Sequence, residues 1–107
     1  MSFLEVRQYV IRPGKADEWE KLFDTVIIPF QTARGMVCGG SFRGETDESV
    51  FIWIRRFESE EERVRLYAAV YEDPEWKNVI SPQVGALMVR EEIRCQRVVP
   101  TASSVLR

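Results

Sequence analysis

The stretch SVFIWIRRF, Ser49 to Phe57, constrains the fold more than any other segment. It alternates with the two-residue period of a β-strand. Val50, Ile52 and Ile54 fall on one side, and Phe51, Trp53, Arg55 and Phe57 fall on the other. Both sides are apolar, so both need cover. Helices can cover one face of a sheet. The aliphatic side suits them, which leaves Phe51, Trp53 and Phe57 as an apolar patch that calls for another partner.

The flanking sequence supplies the helices. Phe3 to Arg12 reads as a first strand, with Leu4, Val6, Gln8 and Val10 on one side and Phe3, Glu5, Arg7, Tyr9 and Ile11 on the other. Pro13-Gly14 ends it. Lys15 to Arg34 then carries Trp19, Leu22, Phe23, Val26, Ile27 and Phe30 at amphipathic-helix spacing. Gly35 suits a left-handed cap, and Pro29 is expected to kink the helix or end its regular part near Ile28. Met36 to Arg43 is a strand weakened by Gly39-Gly40, and it pairs with Ser49–Phe57 as a hairpin.

Ser59 and Glu62 have the spacing of a capping box, which opens a second helix lined by Val64, Tyr67, Ala68 and Tyr71. Asp73-Pro74 reads as the N-cap and first residue of a short helix, with Trp76 as its first anchor. A loose segment around Pro82 and Gly85 follows, then a last strand from Val89 to Val99. The predicted order is β-α-β-β-α-β. That is an α+β, ferredoxin-like fold with a four-stranded antiparallel sheet and both helices on one face. Residues 1–99 form one domain and 100–107 a polar tail.

On this assignment Leu4, Val6 and Val10 lie under the helices, and the open face carries Glu5, Arg7, Tyr9, Phe51, Trp53 and Arg55. A second copy of the chain would cover that face and close a barrel from two sheets. These six residues are therefore the expected homodimer interface. Glu5 and Glu92 are available to pair with Arg7, Arg55 and Arg94, since an unpaired buried charge is costly.

Histidine is absent from all 107 residues. That removes the commonest neutral-pH acid/base and metal ligand, together with histidine-dependent triads, zinc sites and haem ligation. No metal and no cofactor is expected. The net charge of −2 argues against nucleic acid as a partner. Cys38 and Cys95 are read as reduced core thiols of a cytoplasmic protein. No apolar run is long enough to span a membrane, and the N-terminal sequence lacks a signal-peptide pattern.

The segments EVRQYVIRPGKADEWEKLF, VIIPF, FIWIRRFES and DPEW, followed by VREEIR, occur in this order. Together they resemble a NIPSNAP-type domain of the dimeric α+β-barrel superfamily. The resemblance spans about Leu4 to Val98 and implies the fold and a dimer; DPEW recurs in that family. It implies no settled reaction. Phe51 and Arg55 stand where the family often has a histidine and a tyrosine, which weakens the transfer of any site using those two.

Arg7, Tyr9, Trp53 and Arg55 are the candidate ligand-binding residues. Arginine would hold an anion and the rings would flank an apolar or aromatic body. The competing account is an ion-pair network with aromatic filling. Glu5 as a general base and Cys38 as a nucleophile compete with a salt-bridged carboxylate and a small core residue. The stripe of Trp19, Phe23, Phe30, Tyr67 and Tyr71 is read as core. The resulting expectation is a small homodimeric binding or accessory protein, leaning away from an enzyme. One alternative is a cofactor-independent monooxygenase or isomerase acting on a small aromatic or lactone-like substrate, since enzymes of that superfamily work in the cleft between helices and sheet. A purely structural dimer is the third reading.

Overall fold

The computed structural model describes residues 2–107. Four strands, β1 (Phe3–Val10), β2 (Val37–Arg43), β3 (Val50–Phe57) and β4 (Arg94–Val98), form one antiparallel sheet in the order β2-β3-β1-β4. The central pair places Glu5 opposite Arg55, Arg7 opposite Trp53 and Tyr9 opposite Phe51. A bulge between Cys38 and Gly40 interrupts β2, where the sequence has its glycine pair.

Two helical segments connect the strands. The first runs through α1 (Ala16–Leu22), a π turn (Phe23–Ile27) and α2 (Ile28–Thr32). The second comprises α3 (Glu60–Tyr71), a π turn (Trp76–Ile80) and α4 (Ser81–Leu87). Pro29 neither ends the first helix nor leaves it α-helical throughout. A π turn stands directly before Ile28-Pro29, with the Ile28 N–H bonded to the Phe23 carbonyl. The same arrangement recurs before Ser81-Pro82, where the Ser81 N–H reaches the Trp76 carbonyl. A proline lacks the N–H and presses its ring on the carbonyl four residues back; the wider turn gives the ring room. The expected loose segment around Pro82 and Gly85 is consequently helical.

The local signals are realised with small shifts. Ser59 Oγ accepts from the Glu62 N–H at 3.1 Å, but the Glu62 carboxylate accepts from Glu58 N–H at 3.0 Å, one residue earlier than a standard capping box. Asp73 Oδ1 accepts from the Glu75 N–H at 2.8 Å, and its Oδ2 lies 3.1 Å from Arg34 Nη2. Gly35 closes the first helix at a φ of 103°. The last strand is shorter than expected: Arg90–Glu92 form a 3-10 turn that takes Glu92 out of the sheet, and β4 begins at Arg94. Cys38 is half-buried and Cys95 is exposed, so neither is a fully buried core thiol.

The principal correction concerns the faces of the sheet. Phe51, Trp53, Arg55 and Phe57 are all at most 3% exposed, whereas Val50, Ile52 and Ile54 are half-buried. The aromatic side lies under the chain's own helices. Phe23 sits 4.8 Å from Phe51 and 5.1 Å from Trp53 between ring centroids, and Trp19 sits 5.6 Å from Phe51. Glu5, Arg7, Tyr9, Phe51, Trp53 and Arg55, expected at a dimer interface, therefore face the interior of their own chain. The reason is the helices' own composition. Trp19, Phe23 and Phe30 present wide rings, which pack well edge-on against other rings, and Glu5 and Arg55 among them pair with each other.

The free face is the aliphatic one. Val6 aligns with Ile54 and Gln96, and Gln8 with Ile52 and Arg94; Phe42, 54% exposed, continues the row beyond Ile52. The end of the chain folds back onto this face. A Cβ on Gly39 would come within 3.0 Å of Leu106 Cδ2 and 3.6 Å of Ile54 Cγ2, and Arg56 Nε donates to the Arg107 carbonyl. Among the described residues, no helix is long and apolar enough to cross a membrane, and no cluster of metal-ligating side chains occurs.

Candidate functional site

The helix-covered face buries charge as well as rings. Glu5 on β1 and Arg55 on β3 are register partners, 3% and 0% exposed. An arginine has five N–H donors, and Arg55 uses each of them. Nε and Nη2 donate to Glu5 Oε1 at 3.2 and 2.9 Å. Nη1 donates to Gln31 Oε1 at 3.1 Å and to Tyr71 Oη at 2.6 Å. The second Nη2 proton goes to Tyr67 Oη at 2.8 Å, and the Tyr67 hydroxyl donates onward to Glu5 Oε2 at 2.6 Å. A cluster this complete meets the condition under which buried charge is tolerated.

Electrostatics within the cluster follow from this wiring. Burial pushes the phenols of Tyr67 and Tyr71 above the ordinary tyrosine range, against the pull of Arg55. For Tyr67 the hydrogen bond donated to Glu5 adds to the rise. Burial works against the charge on Arg55, and the surrounding tyrosines and Glu5 more than offset it.

Arg7 is different. It lies beside the same carboxylate, but its Nη1 is 3.8 Å from Glu5 Oε1, beyond hydrogen-bond length. Its Nε donates to Tyr9 Oη at 3.2 Å. Among the described residues its Nη groups make no hydrogen bond, although the side chain is only 15% exposed. Burial opposes the charge and the Tyr9 hydroxyl supports it, leaving Arg7 a cation. The guanidinium stands 5.7 Å from the Tyr9 ring and 5.9 Å from the Trp53 ring. The cluster thus holds two arginines and one glutamate.

Arg7 opens into a cleft of about 140 Å³ between the sheet and the helices. Tyr9 and Trp53 form its floor on the sheet. Trp19, Phe23 and Ile27 come from the first helix, the last two from its π turn; Trp76 comes from the second π turn. Tyr71, Val84, Met88 and Ile93 complete the apolar wall, and the polar lining is Arg7, Gln31 and Arg90. No carboxylate lines it among the described residues. The indole Nε1 atoms of Trp19 and Trp53 are buried and lack a hydrogen-bond partner among the described residues.

The sequence matches the NIPSNAP family over residues 4–104. The chain belongs to that family. A crystallised NIPSNAP family protein from Agrobacterium tumefaciens is 28% identical, covers all of both chains and superposes with a TM-score of 0.87. A second from the same organism, described as having unknown function, is 23% identical over 99% of this chain and 94% of its own, also at 0.87. The fold extends to SnoaB, a cofactor-independent oxygenase from Streptomyces nogalater, at 13% identity and a TM-score of 0.71 over 99% and 98% of the two chains. No curated protein matches.

In this NIPSNAP chain, three of the four candidate ligand-binding residues, Arg7, Tyr9 and Trp53, meet at the cleft. Arg55 does not; it lies behind them, saturated. Glu5 is held by Arg55 and Tyr67 and does not line the cleft, and Cys38 lies on β2 outside it. Sequence reasoning missed Trp19, Phe23 and Tyr71, which it counted as core, and also Gln31, Trp76 and Arg90. Gln31 carried a signal: it follows Ile27 by four residues and so sits on the apolar stripe of its helix. Arg90 carried none, because a 3-10 turn places it.

Proposed function

We propose that the protein is a small-molecule-binding homodimer whose ligand occupies the cleft between sheet and helices. The observation behind this reading is Arg7, a largely buried cation whose Nη groups lack hydrogen-bond partners among the described residues, set in a cleft of aromatic rings. A purely structural core gains nothing from leaving such a group unmatched. The fold is shared with a cofactor-independent oxygenase, yet binding is favoured over catalysis here. Such a reaction needs a group to move a proton; neither carboxylate nor thiol lines the cleft among the described residues, and of its two phenols Tyr71 is held by Arg55 and pushed up by burial while Tyr9 accepts from Arg7.

The dimer is proposed through the free aliphatic face, in place of the aromatic one. Val6, Val10, Ile52 and Ile54 form a flat row that sheet-on-sheet packing favours, and the resemblance to dimeric α+β barrels implies the same face. The unmatched charge lies in the cleft, so a free small molecule is the expected second partner.

All three tryptophans of the chain line the cleft, so intrinsic fluorescence reports its occupancy directly. Titration with a panel of small aromatic and aliphatic compounds, neutral and charged, is expected to give a saturable change for a subset. Calorimetry should return one site per chain. A panel that leaves both signals unchanged would overturn the reading.

A further inference from the structure

From this cleft we infer the chemical class of its ligand: a single aromatic ring bearing one carboxylate, with the carboxylate on Arg7 and the ring among Tyr9, Trp53 and Trp76. The inference rests on the binding reading above and makes it specific.

Charge gives the first half. Arg55 has all five donors matched within the chain, so it cannot take a ligand anion without losing Glu5, Gln31 or a tyrosine. Arg7 has only its Nε matched, to Tyr9. Glu5 is shared unequally: Arg55 holds it at 2.9 Å while Arg7 stands at 3.8 Å. The cluster is one negative charge short, and the shortfall lies at the cleft. Arg90 adds a second cation to the lining, tied to Ser81. A carboxylate accepts two parallel N–H bonds from a guanidinium, which matches the two free Nη groups of Arg7.

Size and lining give the second half. An apolar cavity of about 150 Å³ is known to take up benzene, and this cleft measures about 140 Å³. One six-membered ring fills it, and a fused system would have to extend out of its mouth. Trp53 and Tyr9 meet edge to face at 71° with centroids 6.3 Å apart, and Trp76 meets Tyr71 at 82° and 5.0 Å. A flat ring continues such edge-to-face packing. The unmatched Nε1 atoms of Trp19 and Trp53 are donors without acceptors. They favour a ligand that also brings oxygen, and a neutral hydrocarbon leaves them as they are.

The test compares benzoate with benzamide, acetate and 1-naphthoate on the full chain, by tryptophan fluorescence and calorimetry. Benzoate is expected to bind at least tenfold tighter than benzamide, which keeps the ring and loses the charge. Acetate keeps the charge without the ring, and naphthoate exceeds the cleft; both should bind at least tenfold more weakly than benzoate. In Arg7→Met, checked for folding by circular dichroism, the preference for benzoate over benzamide should vanish. Benzamide equal to benzoate on the wild type, or a folded Arg7→Met that keeps the preference, overturns the carboxylate assignment and leaves the cleft as a binding site. Naphthoate binding as tightly as benzoate overturns the single-ring limit. If none of these compounds and none of the wider panel binds, the binding reading itself falls. The wild-type comparison decides the matter even if the variant does not fold.

Discussion

Glu5 and Arg55 face each other across the two central strands, 2.9 Å apart and shut away from solvent, and the whole cluster is built around that pair. Removing Arg55 leaves the buried Glu5 with only Arg7 as a cation, at 3.8 Å and short of hydrogen-bond length. Arg55→Met should therefore cost about 3–5 kcal/mol. Adding Glu5→Gln should recover part of the loss, because the stranded charge goes with it. Chemical denaturation of the two variants checks the order; a double variant less stable than the single would contradict it.

Tyr67 and Tyr71 make the cluster sensitive to alkali. Burial raises both phenols above the ordinary value of 10.0. The unfolded chain ionises these tyrosines near that value while the folded chain keeps them protonated. Their contribution to stability is complete below about pH 10 and declines as pH rises from there through the folded values. Ultraviolet titration of the wild type against Tyr67→Phe and Tyr71→Phe should assign the late-ionising phenols to these two. Ordinary ionisation of both near pH 10 would contradict the wiring.

Asp73 and Trp76 stabilise the second π turn by different means. Asp73 caps a helix start and holds Arg34, so Asp73→Ala should cost about 1 kcal/mol. Trp76 is half-buried against Phe30 and Tyr71 at 5.9 and 5.0 Å. Its loss should cost about 2 kcal/mol, below the range for a fully buried tryptophan. Trp76→Ala should also weaken benzoate binding, which Asp73→Ala should not. Denaturation and calorimetry on the same samples separate the two effects.

Ile52 lies on the free face opposite Gln8 and Phe42. Ile52→Glu should abolish dimerisation with little loss of monomer stability, since the side chain is only half-buried in one copy. Sedimentation at micromolar concentration reads this directly. A monomeric wild type, or a dimer that tolerates the glutamate, would overturn the proposed interface.

Three strands, the two caps, the capping serine and the connection order were legible in the sequence, because each rests on short-range spacing; the fourth, read from Val89, begins only at Arg94. The faces of the sheet were not. Val50, Ile52 and Ile54 look like core and Arg55 looks like surface when each is weighed alone. What decides the matter is the match between Phe51 and Trp53 and the rings of Trp19 and Phe23, together with four acceptors gathered from three elements around one guanidinium. Both are properties of distant segments meeting. The candidate site was legible in part for the same reason: Arg7, Tyr9 and Trp53 sit on neighbouring strands, whereas Trp76, Gln31 and Arg90 reach the cleft only once the helices are docked.

The paired π turns carry a consequence for how this chain tolerates change in length. A π turn is an α-helix with one residue added, and each residue turns an α-helix by about 100°. Deleting one residue between Phe23 and Ile27 should let the helix close into regular α-winding. That would swing Trp19 about a quarter-turn from its place over Tyr9 without altering a single lining side chain. The cleft is therefore specified by a residue tally as much as by residue type. Relatives that keep every aromatic but lack the extra position would be expected to carry a differently shaped hollow.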